Sequence, residues 1–345
     1  MKKFISILLS FLAISMMLFV GCVAEESVAA DDSTEDYSDE LYIMATAYAA
    51  HPVLAPDVYF FQEKGRELGV QTLVVGPPDG NMELYVEAIE IAIAQNPDGL
   101  AINGLDISVV DLINKAMAQG IPVVLWDADL PQSDRITFIG TDWPMLGVRL
   151  AEAMAPLINY EGKVGRIGNI SQPHITAAMD MFKIHMAEIA PNVEVLDVLD
   201  DNGQIEMAET SANALIQMHP DIAGIAGFDG SSGSGICPAV KNVDKGGVIK
   251  VVINDLTPSH IEFLKDGTAQ YVSGQKRNIF GPLALDTLFN INHQDFAFTA
   301  SIDNDATLGI YQAPDKIDTG FIDVTPESVD AFVEAMETVI EAVSK

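Results

Sequence analysis

In residues 121–143, Ile-Pro-Val-Val-Leu-Trp-Asp-Ala-Asp-Leu-Pro-Gln-Ser-Asp-Arg-Ile-Thr-Phe-Ile-Gly-Thr-Asp-Trp, acidic and aromatic groups fall where apolar runs stop. A β-branched run ends at Asp127 and Asp129. A polar loop with Pro131 follows, and a second short run, 136–140, ends at Thr141, Asp142 and Trp143. In a parallel α/β sheet the carboxyl ends of the strands form the crevice where ligands sit. Ionised carboxylates accept hydroxyl hydrogen bonds, and an indole face covers C–H surface. The chemistry expected is therefore reversible binding of a small, neutral, hydroxyl-rich molecule. A single aspartate at a strand end reads equally as an Asx turn or a helix N-cap; the pair together with Trp143 carries the expectation.

Other chemistries find weaker footing. Asp200, Asn202, Gly203 and Glu209 have the spacing of part of a calcium loop, but its first ligand position is Val198. A loop whose Asp201 or Asn202 reaches a cleft fits better. The run Gly230-Ser231-Ser232-Gly233-Ser234-Gly235 between a strand and a helix has neither Gly-x-Gly-x-x-Gly nor Walker spacing, so it reads as a tight crossover. The histidines at 51, 174, 185, 219, 260 and 293 show no metal-binding helical pairing, and only His51 and His174 fall on loops facing the expected cleft. No serine sits in Gly-x-Ser-x-Gly. We expect no catalytic residues, no metal and no cofactor.

The elements that position these groups alternate strand and helix. Short apolar runs at 41–46, 70–75, 100–103 and up to Asp127 are separated by helical patterns at 56–68, 81–93 and 108–119. After Asp142 the alternation restarts, with helices at 144–158, 175–189, 205–218, 236–242 and 259–265. Strands are expected at 163–169, 193–199, 222–228, 248–254 and 270–273. Such alternation indicates βαβ units and parallel sheets. Two consecutive blocks imply an α/β chain of two doubly wound, Rossmann-like lobes. A further helix at 278–290, a strand at 297–302 and an amphipathic helix from Thr325, with Val329, Phe332, Val333, Met336 and Ile340 on one face, complete the pattern.

The first residues stand apart. Lys2-Lys3, an apolar 4–20 and Phe19-Val20-Gly21-Cys22 read as a secretory signal over 1–21. The cysteine after Gly21 resembles a bacterial lipobox, which makes Cys22 a lipidation site; a plain N-terminal membrane anchor is the alternative. Residues 22–40, acidic and poor in large apolar groups, are expected to be a disordered tether. With Cys237 as the other cysteine, no disulfide framework is expected. The formal net charge of −32 argues against nucleic acid or anionic lipid as a partner, since both demand clustered Lys and Arg.

The lipobox, the two lobes, Val-Leu-Trp-Asp-Ala-Asp, Ile-Gly-Thr-Asp-Trp, His-Pro-Asp-Ile-Ala-Gly-Ile-Ala-Gly-Phe-Asp-Gly (219–230), Val-Val-Ile-Asn-Asp-Leu-Thr-Pro (251–258) and Ser273-Gly274-Gln275 together resemble the type I periplasmic-binding-protein family. Its ribose-binding-like sugar-binding lipoproteins of ABC importers are the most similar group, and the likeness runs in order from about 41 to 290. The resemblance implies an N-terminal lobe of 41–141 plus 276–303 and a C-terminal lobe of 142–275 plus 304–345. It also implies three hinge crossings, near Thr141-Asp142, Gly274-Gln275 and Asp303 to Asp305. Ligand would sit between the lobes, and a membrane permease would recognise the closed, monomeric protein.

Carried over residue by residue, the resemblance makes Asp127 the strand-end acceptor of sugar hydroxyls. Trp143 becomes a contact just past the first hinge, Asp229 and Asn254-Asp255 second-lobe contacts, and Gln275 the hinge glutamine. His51-Pro52-Val53-Leu54 stands where relatives have Asn-Pro-Phe-Phe. Asp129, Asp142 and Asp201 complete the polar set, with Phe228 and Tyr48 as apolar cover. Two arginines common in relatives are absent, one replaced by Ala128 and one within Met179-Asp180-Met181-Phe182, which puts ribose itself in doubt. Trp-Asp-Ala-Asp is similar to a motif of autoinducer-2 and rhamnose-type relatives. The expected role is capture of a small sugar for an ABC importer. The alternatives are a ligand-sensing module for a chemoreceptor or histidine kinase, or a nucleoside or autoinducer-2 binder. A surface enzyme lacks a nucleophile or dinucleotide fingerprint, and a transcription regulator lacks a helix-turn-helix.

Overall fold

The computed structural model describes residues 36–50, 53–293 and 313–343. Cys22, His51, the signal and most of the tether lie outside them. The first block runs β1 (Leu41–Ala45), α1 (Ala55–Leu68), β2 (Gln71–Val75), α2 (Met82–Ala94), β3 (Gly99–Asn103), α3 (Val110–Ala118), β4 (Val123–Trp126) and β5 (Thr137–Gly140). The second runs α4 (Trp143–Leu157), β6 (Glu161–Gly168), α5 (Pro173–Ile189), β7 (Asn192–Asp200), α6 (Ile205–Met218), β8 (Ile222–Gly227), α7 (Gly230–Asn242), β9 (Lys250–Asn254), α8 (Pro258–Lys265) and β10 (Tyr271–Gln275). Then come α9 (Arg277–His293), β11 (Lys316–Asp318), β12 (Phe321–Val324) and α10 (Val329–Val343).

Among the described residues two six-stranded sheets result, in the orders β11-β5-β4-β3-β1-β2 and β12-β10-β9-β8-β6-β7. Every pairing is parallel except β10 with β12. Continuous apolar strands explain the arrangement, because successive side chains of a strand point to opposite faces and both faces are covered. In β4, Val123 and Leu125 enter the core under α2 and α3, while Val124 and Trp126 enter the one under α1 and α9. In β9, Val251 and Ile253 face α6 and α7, while Val252 faces α4 and α5.

The chain passes between the sheets after β5, after β10 and between β11 and β12. The third passage therefore lies at Thr319-Gly320 instead of Asp303 to Asp305. The physical reason is that Lys316–Asp318 pairs in parallel with β5 and so belongs to the first lobe. Residues 303–305 and the strand expected at 297–302 lie outside the described residues. The helix expected over 108–119 begins as a 3-10 turn, Ile107–Val109, capped by the Asp106 carboxylate on the Ser108 N–H at 2.8 Å. At the other end a Thr325–Ser328 turn (Thr325 N–H to Ser328 Oγ, 2.9 Å) delays the last helix to Val329. Among the described residues no helix is long and apolar enough to cross a membrane.

After each of the first two passages a helix starts and meets a neighbour at van der Waals distance through a glycine five residues into the segment. A Cβ on Gly147 of α4 would stand 2.0 Å from the Ala178 carbonyl of α5, and one on Gly281 of α9 would stand 2.2 Å from the Asp57 carbonyl of α1. These contacts fix where the first residues of α4 and α9 point.

Candidate functional site

The ends of β4 and β9 carry matching aspartates. Asp127 (φ 66°) and Asp255 (φ 68°) both sit in the left-handed region, which non-glycine residues rarely enter and which Asn and Asp tolerate better than most. Each turn is held by the next strand: the Asp127 N–H donates to the Ile139 carbonyl at 3.0 Å, and the Asp255 N–H to the Ser273 carbonyl at 2.9 Å. The kinked backbone turns both carboxylates toward a shared cavity of about 140 Å³, lined from both sheets by Asn103, Asp127, Trp143, Asn169, His174, Asp229, Asp255 and Arg277. Tyr48, Val53, Leu54, Leu105 and Ile175 supply its apolar wall.

On the first-lobe side, Asn103 at the end of β3 donates to Asp127 Oδ2 at 3.2 Å. Its own carbonyl accepts the buried Tyr85 hydroxyl at 2.8 Å. Arg277, the first residue of α9, places Nη2 2.8 Å from Asp127 Oδ1 and Nη1 3.2 Å from Asp57 Oδ2. Burial works against the guanidinium charge, but Asp127, Asp57 and Asp255 outweigh it and hold the group protonated. Trp143, the first residue of α4, donates its indole N–H to the Asp127 carbonyl at 3.0 Å. Its ring lies 4.5 Å from that of His174. Burial lowers the His174 pKa to about 4, leaving a neutral imidazole at pH 7.

On the second-lobe side, Asp229 caps α7. Its Oδ1 accepts the N–H groups of Ser231 (2.9 Å) and Ser232 (2.8 Å), and its Oδ2 that of Asn169 (3.1 Å). Burial, then the nearby Asp201 carboxylate, pushes its pKa up. Gln275 donates to Asp255 Oδ1 at 3.2 Å. Several buried polar atoms here have no partner: Asn103 Oδ1 and Arg277 Nε in the cavity wall, and Gln275 Oε1, Asn254 Oδ1 and Asp57 Oδ1 on residues that touch or adjoin it.

Of the expected contacts, Asp127, Trp143, Asp229 and Asp255 line this cavity. Gln275 and Asn254 stand behind it: Gln275 orients Asp255, and Asn254, fully buried, donates to the Phe228 carbonyl at 3.4 Å. Asp201 is also one layer back, accepting the Ser232 hydroxyl at 2.6 Å, while its neighbour Gly203 reaches the wall. Three expected contacts are elsewhere. Asp129 forms a two-pronged pair with Arg135 (2.6 and 2.8 Å) and does not line the cavity. Asp142 caps α4 through the Met145 N–H (3.0 Å) and pairs with Lys316 (2.8 Å). Phe228 is core, edge-on to Phe182 at 5.6 Å. His51 lies outside the described residues.

Arg277 and Asn103 were not among the expected contacts. The resemblance places an arginine beside Asp127 in sequence, whereas here the cation arrives from the helix after the second passage. A signal for it exists. Gly140-Thr141-Asp142-Trp143 with Gly147, and Gly274-Gln275-Lys276-Arg277 with Gly281, have the same spacing, so Arg277 is the counterpart of Trp143.

A larger groove of about 470 Å³ runs between α4 and β12, lined by Arg149, Tyr271 and Asp323. Arg149 pairs with Asp323, and the Tyr271 hydroxyl donates to it at 2.6 Å, so the polar groups there satisfy one another. Among the described residues no group of three or more His, Cys, Asp or Glu is placed to hold a metal ion.

The profile of the periplasmic binding protein domain family matches residues 43–294. Over 207 residues the chain is 27% identical to the D-ribose/D-allose-binding protein of Pseudomonas aeruginosa, covering 57% of this chain and 64% of that protein. The chain spans 64% and 61% of the length of the curated relatives it matches. In structure it is similar to the sugar-binding protein of a sugar ABC transporter from Bacillus halodurans, with TM-score 0.78, 28% identity, and coverage of 85% of this chain and 100% of that one. It is also similar to an arabinose-binding protein from Geobacillus stearothermophilus, with TM-score 0.74, 27% identity, and coverage of 85% and 99%.

Proposed function

Because this chain belongs to the periplasmic binding protein family, we propose that it is an extracytoplasmic solute-binding protein that captures a small sugar between its lobes for an ABC importer. The observation that carries this reading is the cavity wall itself. Carboxylates from both lobes, three side-chain amides, one guanidinium, one indole and a neutral imidazole converge on a volume equal to about five water molecules at about 30 Å³ each. Buried polar atoms ordinarily have partners. The unpaired Asn103 Oδ1 and Arg277 Nε, on residues of the wall, therefore leave hydrogen-bonding capacity that a small shift of these side chains would turn to a ligand's hydroxyl groups.

The mechanism is closure. Asp127, Asn103 and Arg277 hold the ligand from the first lobe, while Asp229 and Asp255 reach it from the second, with Trp143 and His174 against its C–H surface. Contacts made from both sides exist only when the lobes are together, so the ligand shifts the equilibrium toward the closed form. The site performs no bond chemistry in this reading. A permease recognises the closed protein, and Cys22, as the lipidated residue, tethers it to the membrane. Relatives named for ribose, allose and arabinose support a monosaccharide over a nucleoside. A sensor module for a chemoreceptor or kinase would use the same closure.

The test is a thermal-shift screen of the purified protein over monosaccharides, polyols, nucleosides and autoinducer-2. A ligand that binds the native state alone raises the melting temperature in proportion to the logarithm of its excess over Kd. A shift of several degrees with a pentose or hexose is expected; no shift with any of the four classes would sink the sugar reading.

A further inference from the structure

Arg277 faces a difficulty that another arginine of this molecule illustrates. Beside a carboxylate, a guanidinium frequently closes on it as a two-pronged fork that engages both oxygens. Arg135 does this to Asp129, with Nε and Nη2 at 2.6 and 2.8 Å from its two oxygens, while its Nη1 meets the exposed Asp315 at 2.9 Å. Arg277 instead gives Nη2 to Asp127 and Nη1 to Asp57, one prong each. Asp127 Oδ2 thus stays with the Asn103 amide, and the Nε of Arg277 stays unpaired at the cavity wall.

The second carboxylates differ: Asp315 is exposed at the surface, whereas Arg277 Nη1 is held by the buried Asp57. It sits in the first turn of α1 with no exposed surface, outside the cavity wall, on the helix that Gly281 lets α9 touch. Holding a carboxylate there is costly: burial raises its pKa well above the usual range, and the Arg277 charge offsets this only in part. One of its oxygens has no partner. A residue serving packing alone would not be a carboxylate, since apolar side chains of similar volume fill such sites at lower cost.

We propose that Asp57 is a positioning residue that holds Arg277 away from a closed fork with Asp127, keeping both groups open to ligand hydroxyls. This rests on the cleft being the ligand site, but its structural half can be tested without any ligand.

The test is Asp57→Asn in the full chain. In a ligand-free crystal structure of this variant, two nitrogens of Arg277 meet both oxygens of Asp127, as Arg135 meets Asp129. By calorimetry, affinity for whichever of D-ribose, D-xylose, L-arabinose, D-glucose or D-galactose most stabilises the wild type falls about ten- to a hundred-fold. Arg277→Lys supplies a second route, because an ammonium cannot form a planar fork. In that background Asp57→Asn costs no further affinity, a result that loss of packing would not give. An Asp57→Asn protein with Arg277 still divided, or with wild-type affinity, overturns the proposal. Equal losses in both backgrounds do the same. If none of the five sugars binds the wild type while the variant's fork closes, the positioning role stands and the sugar reading falls.

Discussion

The two lobes share a frame and differ in charge. Each has the same strand order, an aspartate in left-handed conformation past its fourth strand, a passage marked by Gly140 or Gly274, and a helix whose Gly147 or Gly281 touches a neighbour. On that frame the first lobe holds Asp127 with a buried cation backed by Asp57. The second lobe holds Asp255 with the neutral amide of Gln275, and Asp229 with three backbone N–H groups. Trp143 and Arg277, equivalent in position, both bear on Asp127, one on its carbonyl and one on its carboxylate. The repeated frame decides where groups point; the unrepeated side chains decide what each lobe offers.

The sharpest way to break this comparison is to remove each aspartate in turn. Asp127→Ala takes away charge-assisted bonds to the ligand, about 1.5–3 kcal/mol each, and leaves a buried guanidinium with one counter-ion instead of two. Sugar affinity measured by calorimetry should fall at least about a hundred-fold. The ligand-free protein should also melt earlier, by about 2–4 °C for each kcal/mol lost. Asp255→Ala should cost about ten-fold in affinity and lower the ligand-free melting temperature less than Asp127→Ala does, since it takes a partner from an amide and only a more distant countercharge from Arg277. Equal effects on ligand-free stability would mean that the charge asymmetry has no energetic weight.

A smaller effect tests the shared frame. Alanine at Gly147 or Gly281 puts a methyl group about 2 Å from a backbone carbonyl, a contact that real Cβ atoms do not make. Overpacking of this kind costs about 1–3 kcal/mol. Both variants should lower the melting temperature by similar amounts. Gly281→Ala should in addition weaken sugar binding, because it moves Arg277 relative to Asp57. A loss confined to one of the two would show that the equivalence is one of sequence spacing only.

Much of the frame was legible because it follows from periodicity. Apolar runs of four to seven residues between helical patterns specify parallel sheets, and β1 to β10 fall close to where the sequence puts them. β11 and β12 were not, since Lys316–Asp318 and Phe321–Val324 are too short and polar to carry an alternation signal; pairing with β5 and β10 makes them strands. In the site, Asp127, Trp143, Asp229 and Asp255 were readable as residues that end strands or start helices. Asp129 and Asp142 look the same in sequence, and only tertiary pairing with Arg135 and Lys316 removes them from the cavity. Arg277 was missed for the reverse reason: its partners Asp57 and Asp127 are remote in sequence and meet it only because α9 crosses back to the first lobe.

The smallest expected effect sharpens the contrast from the second-lobe side. Asp229, raised to about 7 by burial and by Asp201, is protonated more readily in the folded chain than in the unfolded one, where an aspartate titrates near 3.9. Between those values the native state binds the extra proton, so this group stabilises the ligand-free protein at low pH and loses that contribution as pH rises through about 7. His174 acts oppositely: its folded pKa of about 4 lies below the ordinary histidine value near 6.5, so its neutral burial favours the fold above that range and costs stability as pH falls through it. Between about pH 6.5 and 8 the fall due to Asp229 is opposed by a smaller rise as the histidine of the unfolded chain finishes losing its proton, so the Asp229 part is read as the difference between wild type and Asp229→Asn. Across this window a single group with a pKa near 7 contributes somewhat under about 1 kcal/mol, or about 2–4 °C of melting temperature. Asp229→Asn should remove that contribution, so that its melting temperature falls less between pH 6.5 and 8 than that of the wild type. Conversely, Asp57→Asn should leave the Asp229 part. Parallel profiles of wild type and Asp229→Asn over this window would mean that the three N–H groups around Asp229 outweigh its burial, and that the second lobe meets its ligand with an ionised Asp229.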